Sequence, residues 1–170
     1  MGWEIKEHLS ASIIGLHLPR YQEIPGVGLY LEQTVKYINE CLAPLTDEAI
    51  TTSMVSNYVK RDLVDNPTKK QYNREQIAYL LFIAVVKNVL SMDEIRLIIT
   101  IQKDSYSSEV AYNYFCSELE NILAYIFGQK LELDNIGSDN TDEKIMLRNI
   151  IITAALKIYL GKLFSGLQNT

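Results

Sequence analysis

The stretch Ala78-Tyr79-Leu80-Leu81-Phe82-Ile83-Ala84-Val85-Val86 constrains this chain more than any other. An unbroken apolar run has no polar face, so the element that holds it must be covered on every side. Its composition alone would suit a buried strand. The flanks decide for a helix over 73–90. Asn73 can cap it, Gln76 three residues later can answer the cap, and the apolar segment is too long for an ordinary strand. The run falls well short of the roughly 20 residues that a membrane-spanning helix needs, so no contact with a membrane is expected.

Other helices should surround this one. Ile5, Leu9, Ile13 and Leu16 share a face over 3–16, and Leu31, Val35, Ile38 and Leu42 form a stripe over 29–42. A loop bearing Pro and Gly, from Pro19 to Gly28, separates the two. Thr51 or Thr52 opens a short helix over 51–61, and Asn66-Pro67 halts regular structure. Ser91-Met92-Asp93-Glu94 is a second capping box, opening a helix with Met92, Ile95, Ile98 and Ile99 inward. Apolar positions from Val110 to Phe127 predict a further helix stopped by Gly128. After a polar loop from Asp134 to Asn140, Thr141 caps a last helix running to about Phe164, with Asp142 and Glu143 at its positive end. The expected fold class is all-α. Residues 1–104 form one region and residues 105–170 a helical dimerisation or effector region.

Composition supports a folded cytoplasmic protein. In 170 residues, apolar types make up 48% and charged types 22%, a globular profile. Cys41 and Cys116 are two, far apart and without metal-ligand spacing, as for reduced thiols. Met1-Gly2-Trp3-Glu4 carries an acid where a secretion signal needs a basic start. Lys6 stands where a myristoylation motif wants Ser or Thr.

Charge is uneven along the chain. The net of -5 argues against coating nucleic acid by bulk charge. Residues 1–49 and 91–170 carry -4 each, however, and residues 50–90 carry +3. Within that middle part, Asn66 to Arg74 holds Lys69, Lys70 and Arg74 and no acid. The helix 51–61 can turn Met54, Val55 and Tyr58 inward and Ser53, Ser56, Asn57, Lys60 and Arg61 outward. Small polar residues let a backbone approach a major groove, an amide can pair with adenine, and basic side chains reach guanine or phosphate. The helix 29–42 would then be the scaffold helix of a helix-turn-helix, and Val64 to Tyr72, with two lysines at its tip, a wing.

The run from Thr51 to Thr100 resembles the DNA-binding domain of MerR-type winged-helix regulators. Asn57-Tyr58 stands at that family's aromatic pair and Asp62-Leu63-Val64 at its Gly-Leu-Leu-like step. Pro67 and Lys69-Lys70 stand in the wing, Tyr72-Asn73-Arg74-Glu75 before the long helix, and Ser91-Met92-Asp93-Glu94-Ile95 at the short one. Ser56 replaces the family's Arg, Asn57 its first Tyr and Asp62 its helix-ending Gly. The connection from Leu42 to Thr51 is longer than the family's turn. A wider resemblance rests on Leu18-Pro19-Arg20-Tyr21, Glu23-Ile24-Pro25, Leu29-Tyr30, Ser53 to Lys60 and Tyr72 to Leu80. These segments are similar to the signatures of the uncharacterised bacterial domain-of-unknown-function family 1836. The resemblance implies a cytosolic helical protein and a suspected regulator.

The expected function is DNA-binding transcriptional regulation. Thr51, Ser53, Ser56, Asn57, Tyr58, Lys60, Arg61, Lys69, Lys70 and Arg74 form the candidate interface with double-stranded DNA. A homodimer on a two-fold site would supply useful specificity. The alternative is a helical protein–protein adaptor with a degenerate winged-helix fold. No catalytic constellation is legible, so an enzyme is not expected. His8 and His17 lack ligand spacing, Gly26-Val27-Gly28 is no phosphate loop, and no cofactor or metal is expected. Tyr106, Tyr112, Tyr114, Tyr125 and Tyr159 suit helix packing, with an effector pocket of unidentified chemistry or a subunit interface as the functional alternative. Leu18-Pro19-Arg20-Tyr21 is read as a structural corner in which Arg20 pairs with an acid.

Overall fold

The computed structural model describes residues 3–137 and 139–169. Met1 and Gly2, read above for a leader or a lipid, lie outside them. The described chain is mainly helical. Its helices are α1 (Trp3–Ala11), α2 (Leu31–Leu42), α3 (Thr52–Lys60), α4 (Arg74–Val86), α5 (Met92–Ser105), α6 (Ser108–Ile126) and α7 (Asp142–Gln168). Two short strands, β1 (Leu29–Tyr30) and β2 (Gln71–Tyr72), pair antiparallel, with Leu29 opposite Tyr72.

The apolar run is a helix, and it lies at the centre. Ile77, Leu80, Leu81, Ile83 and Val86 of α4 are all buried, and α2, α6 and α7 pack around it. Its start is fixed by the expected reciprocal cap. The Gln76 amide N–H donates to Asn73 Oδ1 at 2.9 Å, and the Asn73 N–H donates to Gln76 Oε1 at 2.7 Å. Buried Gln76 also does something its cap role did not imply. Its Nε2 donates to the Asp65 and Asn66 carbonyls, both at 3.0 Å, and so ties the loop before β2 to the core helix. The boxes and caps at Ser91–Glu94 and Thr141 form as read, and Gly128 ends α6 at φ +77°.

Four element boundaries differ from the sequence reading, one being the end of α7, at Gln168 rather than about Phe164. α1 stops at Ala11, because Ser12 turns its hydroxyl back onto the Leu9 carbonyl and Gly15 then takes a left-handed φ. α2 begins at Leu31, since Leu29 and Tyr30 are drawn into the pair with β2. Gly28 permits that pairing: a Cβ there would sit 2.7 Å from the Gln71 side chain. α4 ends at Val86, before the expected Leu90.

α6 and α7 close the bundle. α7 is long and apolar enough to cross a membrane by length and composition. Here it lays Ile151, Ala154 and Ala155 into the core. Between the two helices, buried Glu118 faces the Arg148 guanidinium at 3.5 Å.

The Pro- and Gly-bearing loop is a latch across the fold. Arg20 does pair with an acid, and that acid is Glu120 on α6. Two guanidinium nitrogens meet its two carboxylate oxygens, and the Leu18 N–H donates to the same group at 2.7 Å. This partner holds the Arg20 pKa above its usual value. The Pro19 carbonyl accepts from the Tyr112 hydroxyl at 2.6 Å and from the Cys116 thiol at 3.6 Å. The Tyr21 N–H donates to Asn113 Oδ1 at 2.8 Å. Burial pushes the Cys116 thiol from 9.0 up to about 11 and raises the Tyr112 hydroxyl as well.

Those shifts set an alkaline limit. A thiol with a raised folded pKa favours the fold fully below its unfolded pKa, and that contribution is lost as pH rises through the folded value. Stability in urea should therefore fall between pH 9 and pH 11. Cys116→Ser keeps the donor to Pro19 without the titration, so it should lose less over that interval. A flat stability profile to pH 11 would contradict the assignment.

Candidate nucleic-acid interface

α3 stands on α2 through a clamped connection. Asn39 on α2 donates through Nδ2 to the Ile50 carbonyl at 3.0 Å and accepts from the Ile50 N–H at 2.9 Å. Thr51 then caps α3, accepting from the Met54 N–H at 3.2 Å. Val55 and Tyr58 are buried, anchoring the inner face. Ser53, Ser56, Lys60 and Arg61 are exposed on the outer face, and α3 contains no acid. Asn57 is half-buried, with its amide 3.9 Å from the Met92 sulfur. Of the expected interface, then, Tyr58 is held in the core, Asn57 lies at the edge, and Thr51 serves the helix cap.

The end of α3 is built against backbone preference. The Asp62 N–H donates to the Val59 carbonyl at 3.0 Å and the Leu63 N–H to the Tyr58 carbonyl at 2.9 Å. This is a Schellman motif, whose left-handed position usually belongs to glycine. Here Asp62 occupies it at φ +60°. Arg96 on α5 completes the cap, donating from Nη2 to the Arg61 carbonyl at 2.6 Å while pairing with Asp93. No local signal marks Arg96, because its partner is 35 positions away.

The hairpin tip follows. Thr68 and Gln71 exchange both backbone hydrogen bonds, at 3.1 and 3.0 Å, around a two-residue turn. Its central residues are Lys69 at φ +52° and Lys70 at φ +64°, both exposed. Such turns normally use Asn-Gly, since a side chain there costs backbone energy. Arg74 lies at the root and is turned inward. Its Nε donates to the Ile24 carbonyl at 3.0 Å, its Nη1 to Gln22 at 3.1 Å, and its charge lies 5.9 Å from the centre of the Tyr21 ring. The structure therefore leaves two basic groups exposed, Lys60–Arg61 and Lys69–Lys70, with Asp62 and Asp65 exposed in the chain between them. Arg74 secures the hairpin to the latch loop.

Other chemistry is sparse. Among the described residues, no group of three or more His, Cys, Asp or Glu side chains is placed to hold a metal ion. His17 sits against Glu23 at 2.8 Å, and that hydrogen bond lowers the Glu23 pKa.

A family model described as "Domain of unknown function (DUF1836)" matches residues 19–115. The chain belongs to the DUF1836 family. The match takes in the latch loop, α2 to α5 and the first half of α6. No curated protein and no solved structure matches the chain. Within this DUF1836 chain, Lys60, Arg61 and the left-handed Lys69–Lys70 tip all lie inside the matched stretch.

The Schellman geometry makes a stability prediction. Asp62→Gly removes a left-handed cost of about 1–2 kcal/mol and adds back part of it as unfolded-chain freedom. The variant should gain roughly 0.5–1 kcal/mol. Its Tm in calorimetry should rise by about 2 °C. A lower Tm would show that the Asp62 side chain holds the turn.

Proposed function

We propose that this protein is a DNA-binding transcriptional regulator whose α3 enters the major groove while the Lys69–Lys70 turn grips backbone phosphate. The observation that carries the reading is the exposed outer face of α3, followed in the chain by that exposed turn. The face is acid-free, small and polar with a basic end, and it stands on a scaffold helix with its connection clamped. The order of helix, connection, helix, hairpin and long capped helix fits a MerR-like winged-helix region, with β1 lending a short strand to the hairpin. Two lysines kept in a conformation that glycine would adopt more cheaply support a role for their side chains.

In this reading Lys60, Arg61, Lys69 and Lys70 supply salt-dependent affinity. Ser53, Ser56 and the edge of Asn57 supply sequence reading. The protein acts in the cytoplasm, as a homodimer, without catalytic chemistry. Residues 105–170 serve dimerisation and effector sensing. Leu156, Leu160 and Phe164 of α7 are exposed on a helix whose other face is buried, which suits self-association. That same stripe favours the second reading, a protein–protein adaptor that keeps the winged-helix shape without touching DNA.

The test is a fluorescence-anisotropy titration with genomic DNA fragments at two salt concentrations. Wild type should bind with an affinity that falls as salt rises. Replacing Lys60, Arg61, Lys69 and Lys70 together by Ala should weaken binding and flatten the log–log salt slope by about 3–4. Unchanged binding by the quadruple variant would remove this surface from the DNA contact. A stoichiometric protein partner recovered with no DNA enrichment would select the adaptor.

A further inference from the structure

The space between α4, α5, α6 and the start of α7 holds a cavity of about 290 Å³. The space is partly open to solvent, and an apolar recess of this size suits a small-molecule guest. Its walls are largely apolar. Phe82 and Phe115 meet edge to face, with ring centres 5.2 Å apart, and Tyr112, Ile98 and Leu147 continue the lining.

Several polar groups at its edge are engaged with one another, while the buried Tyr114 hydroxyl has no hydrogen-bond partner among the described residues. The Tyr79 hydroxyl donates to Gln102 Oε1 at 2.7 Å and meets the Ser108 hydroxyl at 3.1 Å. Ser108 in turn bonds Glu75, and Gln102 Nε2 donates to the Tyr106 carbonyl at 2.7 Å. Asp139 and Thr141 hold the Tyr106 hydroxyl. Lys144 donates to the Asp139 carbonyl at 2.7 Å and lies 5.8 Å from the centre of the Tyr114 ring. An anionic guest would find Lys144, the lysine of the lining, already turned to the Asp139 carbonyl and the Tyr114 ring, and burying an unpaired charge is strongly unfavourable. Asp139 and Glu143 at the border further oppose an anion.

Size narrows the ligand. A dry apolar cavity of about 150 Å³ accepts benzene. The volume here is roughly twice that, and its aromatic edges suit a flat π-face. We propose that this cavity binds a neutral two-ring aromatic molecule. The inference gives a chemistry to the effector of the regulator reading and rests on that reading only for its regulatory meaning. Binding to the cavity is independent of whether α3 touches DNA.

The probe is 2-naphthol, with 2-naphthalenesulfonate as a charged analogue carrying the same rings. Both are titrated into the full chain without DNA, so failure here and failure of the DNA reading are separate results. Wild type should bind one 2-naphthol saturably, and the sulfonate at least tenfold more weakly. Ala111→Phe, which fills the cavity from α6, should abolish 2-naphthol binding while circular dichroism and Tm stay native. Ile98→Phe fills it from α5 and gives the same test should the first variant fold poorly. Absence of saturable 2-naphthol binding, equal affinity for the sulfonate, or undiminished binding by a folded filled variant would overturn the proposal.

Discussion

A helix that is apolar around nearly its whole girth must be jacketed, and α4 imposes that demand on everything near it. Its burial is the largest block of the core. Hydrophobic burial is the dominant favourable contribution to folding, so the remaining helices are arranged to cover this one. α2, the latch loop, α6 and α7 all pack against it. One polar residue is admitted to the jacketed surface. Gln76 is tolerated because its amide is fully used, between the Asn73 cap and the two carbonyls before β2. The root of the hairpin is thereby fixed to the central buried helix.

The latch loop connects regions that are distant in sequence. Arg20 and Leu18 hold Glu120 on α6, while Ile24 and Gln22 hold Arg74 at the start of α4. Tyr112 both lines the apolar cavity and donates to Pro19 in that loop. The cavity wall, the loop and the hairpin root are therefore one bonded path. Around α3 the fold also carries strain, at Asp62, Lys69 and Lys70. Each left-handed residue costs about 1–2 kcal/mol, against a total stability of about 5–15 kcal/mol for an ordinary domain.

What could be read in advance was local. The cap at Asn73 with Gln76, the box at Ser91 with Glu94, the Thr141 cap and the Gly128 stop each need only residues within one helical turn, and all form as read. Burial of Val55 and Tyr58 followed from spacing, although Tyr58 was also assigned outward to DNA, and a side chain cannot serve both faces. The need of Arg20 for an acid was legible, but choosing Glu120 among 21 acids required the fold to bring together positions 100 apart. The Asn39 clamp, the Arg96 cap and the inward turn of Arg74 depend on tertiary placement in the same way. So does the cavity, whose lining comes from four helices, although Tyr106, Tyr112 and Tyr114 of that lining were among the tyrosines read as an alternative effector pocket.

The family match ends at residue 115, inside α6, while the Arg20–Glu120 pair spans that boundary. The shared stretch is therefore not a portable cassette. A protein that inherited residues 19–115 beside a different C-terminal partner would leave a partly buried guanidinium and part of α4 without their covers. Some carboxylate and some apolar helix would have to arise with it. In this chain the latch thus makes the integrity of the matched stretch depend on an acid and a helix that lie beyond it.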